Sequence, residues 1–182
     1  MKDIGPVKRC LGIDFDQNLK TNQVFLSQQK YAEVILERFG MADFKPVSTP
    51  LVINCGLTCP KVKDEKEMSE YPYQRLIGAL MYLTVTTRPD IAYAVNYLSQ
   101  FNSNYTEEHW KAAKRILRFI RGTIDYGLLY NKTNLKLYGV VDADWGANIE
   151  DRRSYSGFAF LLAGAAISWE ALFPYQAPKQ NI

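Results

Sequence analysis

At 182 residues, the chain is long enough for one ordinary domain or a few small units and too short for a long multidomain enzyme. Lys and Arg number 22 against 19 Asp and Glu, a formal charge of +3 that suits a nucleic-acid partner without demanding one. Apolar residues at 47% and charged residues at 23% argue against wholesale disorder, and three cysteines are too few, and odd in number, for a secreted disulfide scaffold. No apolar run approaches a membrane span, and Met1 to Pro6 is too polar to open a secretory signal, so an intracellular, soluble, uncleaved protein is expected, cytoplasmic or nuclear.

The first unit, residues 1–50, reads as a hairpin followed by a helix. Val7 to Phe15 is a strand broken at Gly12, Asn18 to Asn22 a turn, and Val24 to Leu26 a short returning strand. Ser27 stands where an N-cap belongs, and Leu26 and Tyr31 have the spacing of a hydrophobic staple. Tyr31, Val34, Ile35 and Phe39 then recur at helical spacing before Gly40.

Residues 51–72 read as a linker, because Pro46, Pro50 and Pro60 interrupt regular structure and Lys61 to Glu70 is dense in charge. Helical periodicity returns at Tyr73 with Leu76, Ile77, Leu80, Met81 and Leu83, and stops before Arg88-Pro89. A second helix is expected over Ile91 to Phe101. Thr106 caps a third, stapled by Tyr105 and Trp110 and ended by Gly122. From Leu135 the period becomes alternating. Leu135 to Val141, Tyr155 to Leu162 and Ala165 to Trp169 are expected to form three sequential antiparallel strands, with Ala171 to Ile182 as a loose tail. The fold class is therefore α+β.

Five blocks in order carry a resemblance. They are Leu11-Gly12-Ile13; Leu26-Ser27-Gln28-Gln29-Lys30-Tyr31; Ile77 to Leu83; Thr87-Arg88-Pro89-Asp90 with Ile91 to Val95; and Asp142-Ala143-Asp144-Trp145 followed by Asp151-Arg152-Arg153-Ser154. In one register these resemble the Pol polyprotein of copia-type retrotransposons, over roughly residues 1 to 169. The resemblance implies that residues 1–50 are the end of a reverse transcriptase palm with its primer-holding hairpin. Residues 73–134 would be a thumb-like helical region with its connection, and 135–170 the first three strands of a truncated ribonuclease H-like fold; 171–182 diverge.

The same resemblance implies two catalytic centres, each built on two metal ions held by several carboxylates, with Mg²⁺ as the metal of the intact family. The polymerase centre needs an Asp-Asp pair, and none occurs in this sequence. The ribonuclease H centre would take its first carboxylate from Asp142, with Asp144 as a candidate neighbour at strand spacing. Its next carboxylate is expected on a later helix, where this sequence reads Glu170-Ala171-Leu172-Phe173-Pro174-Tyr175. No catalysis and no cofactor are expected of this chain. Asp142 and Asp144 are compatible with a weak solvated Mg²⁺ contact, although two water-exposed turn carboxylates are the simpler reading.

Lys111, Lys114, Arg115, Arg118 and Arg121 form one stripe on the third helix, opposite Trp110, Ala113, Ile116, Leu117 and Ile120. Such a stripe suits a phosphate backbone and equally suits plain solvent. Gln74, Gly78 and Tyr82 match by position a glutamine, glycine and aromatic that face the primer–template minor groove in related retroviral thumbs, and helix-on-helix packing at Gly78 is the competing reading. Cys55 and Cys59 lack the further ligands a zinc site needs, and His109 is expected at the surface.

Three functions stay open. The chain is a remnant of a Pol gene with residual, non-specific affinity for RNA, DNA or their hybrid; or a host-adopted nucleic-acid- or protein-binding module; or part of an intact polyprotein acting in reverse transcription. Oligomeric state is not legible.

Overall fold

The computed structural model describes residues 5–52, 55–60, 62, 64–144 and 155–172, and the side chains of 143, 144, 155 and 172 lie outside that description. The architecture is mixed α/β, with helices gathered round one core and two separate antiparallel sheets.

The first sheet begins with β1 (Arg9–Cys10) and β2 (Ile13–Asn18). The sequence suggested one interrupted strand here. Instead the chain reverses at Leu11-Gly12, both of which take positive φ (49° and 74°), so that Cys10 pairs with Ile13 across a two-residue turn. β3 (Gln23–Ser27) pairs with β2 as the expected hairpin. β4 (Gly127–Asn131) pairs with the other side of β3, placing Leu129 beside Phe25 and closing the order β1-β2-β3-β4. The sequence alone predicts no strand at β4.

α1 (Gln29–Arg38) begins one residue later than expected, because Ser27 ends β3 and Gln28 takes the cap position without a side-chain cap bond. Within the expected linker lies a short helix, α2 (Glu65–Glu70), capped by the Asp64 carboxylate accepting from the backbone N–H of Lys66 and of Glu67, each at 3.0 Å. α3 (Tyr73–Thr86) and α5 (Glu107–Gly122) fall where periodicity put them. Between them the helix expected over Ile91 to Phe101 is shorter, α4 (Ala92–Ser99), and is preceded by a 3-10 turn at Pro89–Ile91. The Pro89 ring fits the first turn of a helix, where its missing N–H costs nothing.

The core is formed by Ile35 and Leu36 of α1, Leu76, Ile77, Leu80 and Leu83 of α3, Leu98 of α4, and Ile116, Leu117 and Ile120 of α5. At about 25 cal/mol per Å² of apolar area buried, this cluster is the main source of stability. It also holds α5 by one arc and leaves the opposite arc facing outward.

The second sheet contains β5 (Tyr138–Asp144), β6 (Tyr155–Leu162) and β7 (Ala165–Leu172) in sequential antiparallel order. The first strand is displaced three residues from its expected start, and Ala171 and Leu172, expected in the tail, extend the third. The remainder of the tail, 173–182, lies outside the described residues. One face of this sheet rests on the helices. Register places Val140, Ala159 and Trp169 side by side on that face, and the Trp169 indole N–H donates to the carbonyl of Thr84 at 2.7 Å. Tyr130 of β4 adds a second tie, its hydroxyl donating to the Ala166 carbonyl at 2.7 Å.

Candidate nucleic-acid interface

The five cations of α5 do share one outward arc, but each is already engaged. Lys111 pairs with Glu107 one turn earlier at 2.9 Å, and that hydrogen bond raises its pKa. The Lys114 ammonium lies 5.7 Å from the centre of the Trp110 ring. Arg115 donates to the Thr49 hydroxyl (3.0 Å), Arg118 through Nε to the Lys45 carbonyl (2.8 Å), and Arg121 through Nε to the Ala42 carbonyl (2.7 Å). The stripe is therefore an organised surface, fixed by its own helix and by the segment that follows α1. Trp110, placed on the buried arc by the sequence, is half-buried and stacks on Tyr71 at 5.9 Å.

On α3, Gln74 and Gly78 are exposed and Tyr82 half-exposed. A Cβ built on Gly78 meets nothing within 4 Å, which overturns helix-on-helix packing as the reason for this glycine. The bare backbone there opens to solvent. Gln74 donates from Nε2 to the Asn102 carbonyl at 2.7 Å, fixing its amide at the rim. Tyr82 donates from its hydroxyl to the Leu11 carbonyl and meets the Tyr31 ring edge-on at 5.2 Å. Thus the α3 face continues onto the Leu11-Gly12 turn, whose strained Leu11 is clamped by Tyr82.

Asp142 is exposed on β5 and lines an open cleft of about 280 Å³ between the second sheet and the start of α4, with Tyr93 and Trp169 among its walls. Asp144 belongs to the same strand, and its side chain is outside the described ones. Glu170 sits at an adjacent register position, whose side chain alternates to the other face of the sheet. Among the described residues no group of three or more His, Cys, Asp or Glu could hold a metal ion. The Asp151 to Ser154 block lies outside the described residues.

Cys55 is half-buried, and desolvation pushes its thiol pKa up, which disfavours the thiolate a metal needs. His109 is not at the surface. It is 1% exposed, packs at 4.2 Å against Phe101, and accepts the Thr106 backbone N–H at Nδ1 (3.1 Å), closing a capping box for α5. Burial lowers its pKa against the raising influence of Glu108 and Glu67.

Two polar hubs escaped sequence reasoning. Arg88, 2% exposed, makes a fork to Asp90 (2.9 and 2.8 Å) and donates to the carbonyl (3.0 Å) and hydroxyl (2.6 Å) of Thr123. Its guanidinium also lies over Phe119 and Tyr126. Gln28, buried, accepts at Oε1 from the hydroxyls of Thr86 (2.7 Å) and Thr87 (2.9 Å), joining α1 to the end of α3. Both lie in the blocks that carry the resemblance, so those blocks hold structural joints rather than solvent-facing chemistry at these two positions.

Comparison with known proteins adds a family context. The chain is 43% identical over 175 residues to the retrovirus-related Pol polyprotein from transposon TNT 1-94 of Nicotiana tabacum, covering 94% of this chain and 13% of that protein. It is 40% identical over 150 residues to the Pol polyprotein from transposon RE2 of Arabidopsis thaliana, covering 80% of this chain and 10% of the relative. A mitochondrial protein of Arabidopsis thaliana is 42% identical over 176 residues, 94% of this chain and 69% of its own length. No protein-family model and no solved structure matches the chain.

Proposed function

We propose, on the similarity of most of the chain to retrovirus-related Pol polyproteins of transposons, that it is a catalytically incomplete piece of a copia-type Pol. In this reading it runs from the end of a reverse transcriptase palm, through a thumb, into the start of a ribonuclease H, and retains a weak, sequence-indifferent grip on RNA or DNA. The chain spans about a tenth of the Pol polyproteins it matches, so their whole activity is not carried over.

The observation that carries the binding reading is the open face of α3. Gly78 leaves bare backbone between Gln74 and Tyr82, and a nucleic-acid strand could approach there more closely than over any side chain. The α5 cations supply the salt-sensitive part of the attraction. Catalytic incompleteness rests on the missing Asp-Asp pair and on the Glu170 to Tyr175 stretch departing from the family's next ribonuclease H carboxylate.

Gly78→Glu tests the face, since the site has room for the side chain and helical backbone accepts it. Binding of labelled single-stranded DNA or RNA should weaken by roughly tenfold or more, through bulk and repulsion together. Unchanged affinity sinks the α3 reading. In parallel, purified protein should neither extend a primer nor degrade the RNA of an RNA–DNA hybrid with Mg²⁺ or Mn²⁺; activity abolished by Asp142→Asn overturns the incompleteness.

A further inference from the structure

Residues 42–49 run along α5 in the opposite chain direction. Ala42 meets Arg121, Lys45 meets Arg118, and Thr49 meets Arg115, so successive strap positions match successive helix positions three apart. The strap lies close to the helix end. A Cβ added at Gly122 would fall 2.9 Å from the Cβ of Pro46, a distance that no real packing tolerates without movement. Gly122 thus lets Pro46 seat, and the seated strap brings its carbonyls to the arginines.

A guanidinium carries five N–H donors. Arg118 and Arg121 each give only the Nε–H to the strap, and their terminal nitrogens make no bond among the described residues. Both side chains are half- or fully exposed, so those nitrogens are accessible. Main-chain carbonyls are neutral acceptors and do not cancel the positive charge they orient. A free surface arginine must give up rotamer freedom to grip a phosphate, whereas one already tethered at Nε has lost that freedom on folding.

We infer that the strap is a positioning device, holding Arg118 and Arg121 so that their terminal nitrogens take neighbouring phosphates of one nucleic-acid strand in bidentate fashion. The inference deepens the binding reading given above and rests on it. Arg118 and Arg121 stand at i, i+3, about 5–6 Å apart at Cβ, close enough to act on one strand. Lysine at either position keeps the charge, but its single nitrogen cannot hold the strap carbonyl and present a planar fork to a phosphate at once. Charge alone and orientation are therefore separable.

The experiment measures binding of labelled oligodeoxythymidine to the full chain as wild type, as R118K/R121K, and as Gly122→Ala, with melting curves for each. The lysine pair should lose roughly tenfold in affinity while keeping the same net charge, and Gly122→Ala, which displaces Pro46 without touching a cation, should lose roughly threefold or more. Both should melt as cooperatively as wild type. Wild-type binding that persists within about twofold in the lysine pair overturns the positioning role while leaving the binding reading intact. Tighter binding by Gly122→Ala also overturns it, because the strap would then be a competitor for the arginines. A wild type that binds no oligonucleotide at low salt overturns both.

Discussion

The indole N–H of Trp169 donates to the carbonyl of Thr84 across 85 residues of sequence, capping the C-terminal end of α3 with a side chain from β7. The last carbonyls of a helix have no intrahelical partner. Here the backbone N–H groups of Thr87 and Arg88 both turn to Leu83, and Pro89 has none to give, so Thr84 takes its donor from the second sheet. A helix end and a sheet are thereby satisfied by one bond.

Trp169→Phe keeps most of the ring and removes only the donor. It should cost about 1 kcal/mol, the net worth of one hydrogen bond with some penalty for the unpaired Thr84 carbonyl. Chemical denaturation checks the cost. Hydrogen exchange should show faster opening in β7 than in α5, since the lost bond anchors the sheet and leaves the core untouched.

Arg88 links the 3-10 turn to the residue after α5 through Thr123. Arg88→Ala leaves a buried carbonyl without its donor and Asp90 without its counter-charge. The expected loss is about 3 kcal/mol, typical of breaking one side of a buried ionic network. Arg88→Lys should recover less than half of it, because an ammonium cannot span Asp90 and Thr123 together. Urea midpoints of the two variants decide; equal midpoints for Lys and wild type refute the fork.

The sequence was most readable where a single period runs for several turns. The buried arc of α5 contains Ala113, Ile116, Leu117 and Ile120 as their spacing required, and α3 ends just before Arg88-Pro89 as the proline demands. What failed depends on partners distant in sequence. β4, Gly-Leu-Leu-Tyr-Asn, is a short segment that becomes a strand only because β3 lies beside it, about a hundred residues earlier. α2 has no buried residue, so no period marks it, and its Asp64 cap was the available signal. His109 looks like a surface residue in sequence and nothing there marks Arg88 as a buried hub, because their partners, Phe101 and Thr123, are brought to them by the fold. At the candidate interface the stripe was visible, but its tether to residues 42–49 was not, since main-chain carbonyls carry no sequence signature.

His109 makes stability pH-dependent. Its Nδ1 accepts the Thr106 N–H, so the neutral ring carries its proton on Nε2, and protonation would put a second donor against the cap. Its folded pKa lies below the ordinary 6.5 through burial. Below about that value the unfolded chain binds a proton that the folded chain refuses, so this contribution is complete above it, falls as pH drops, and levels off below the folded pKa. His109→Gln should be less stable at about pH 7.5 and show a smaller loss between about pH 7 and 5, the window that brackets that ordinary value. Parallel pH profiles for the two proteins would rule out the histidine as the source.

The second sheet should open unevenly. β7 is held by Trp169, by the Asn96 amide donating to the Ala171 carbonyl, and by Tyr130, whereas β5 has β6 on one side and no further strand among the described residues. The face away from the helices carries Val141, 80% exposed, beside the tilted pair Phe158 and Phe160, whose rings are 5.6 Å apart. An open strand edge next to exposed apolar side chains is a template for pairing with another chain. Amide exchange in β5 should therefore be fast and in β7 slow, with α3 and α5 slowest because they enclose the core. Val141→Lys puts a charge on that face, at a strand position that alternates with Val140 and Asp142. It should leave the melting temperature nearly unchanged and raise the concentration at which light scattering detects association. A variant that associates at the same concentration as wild type would show that the β5 edge and this face are not the sticky surface.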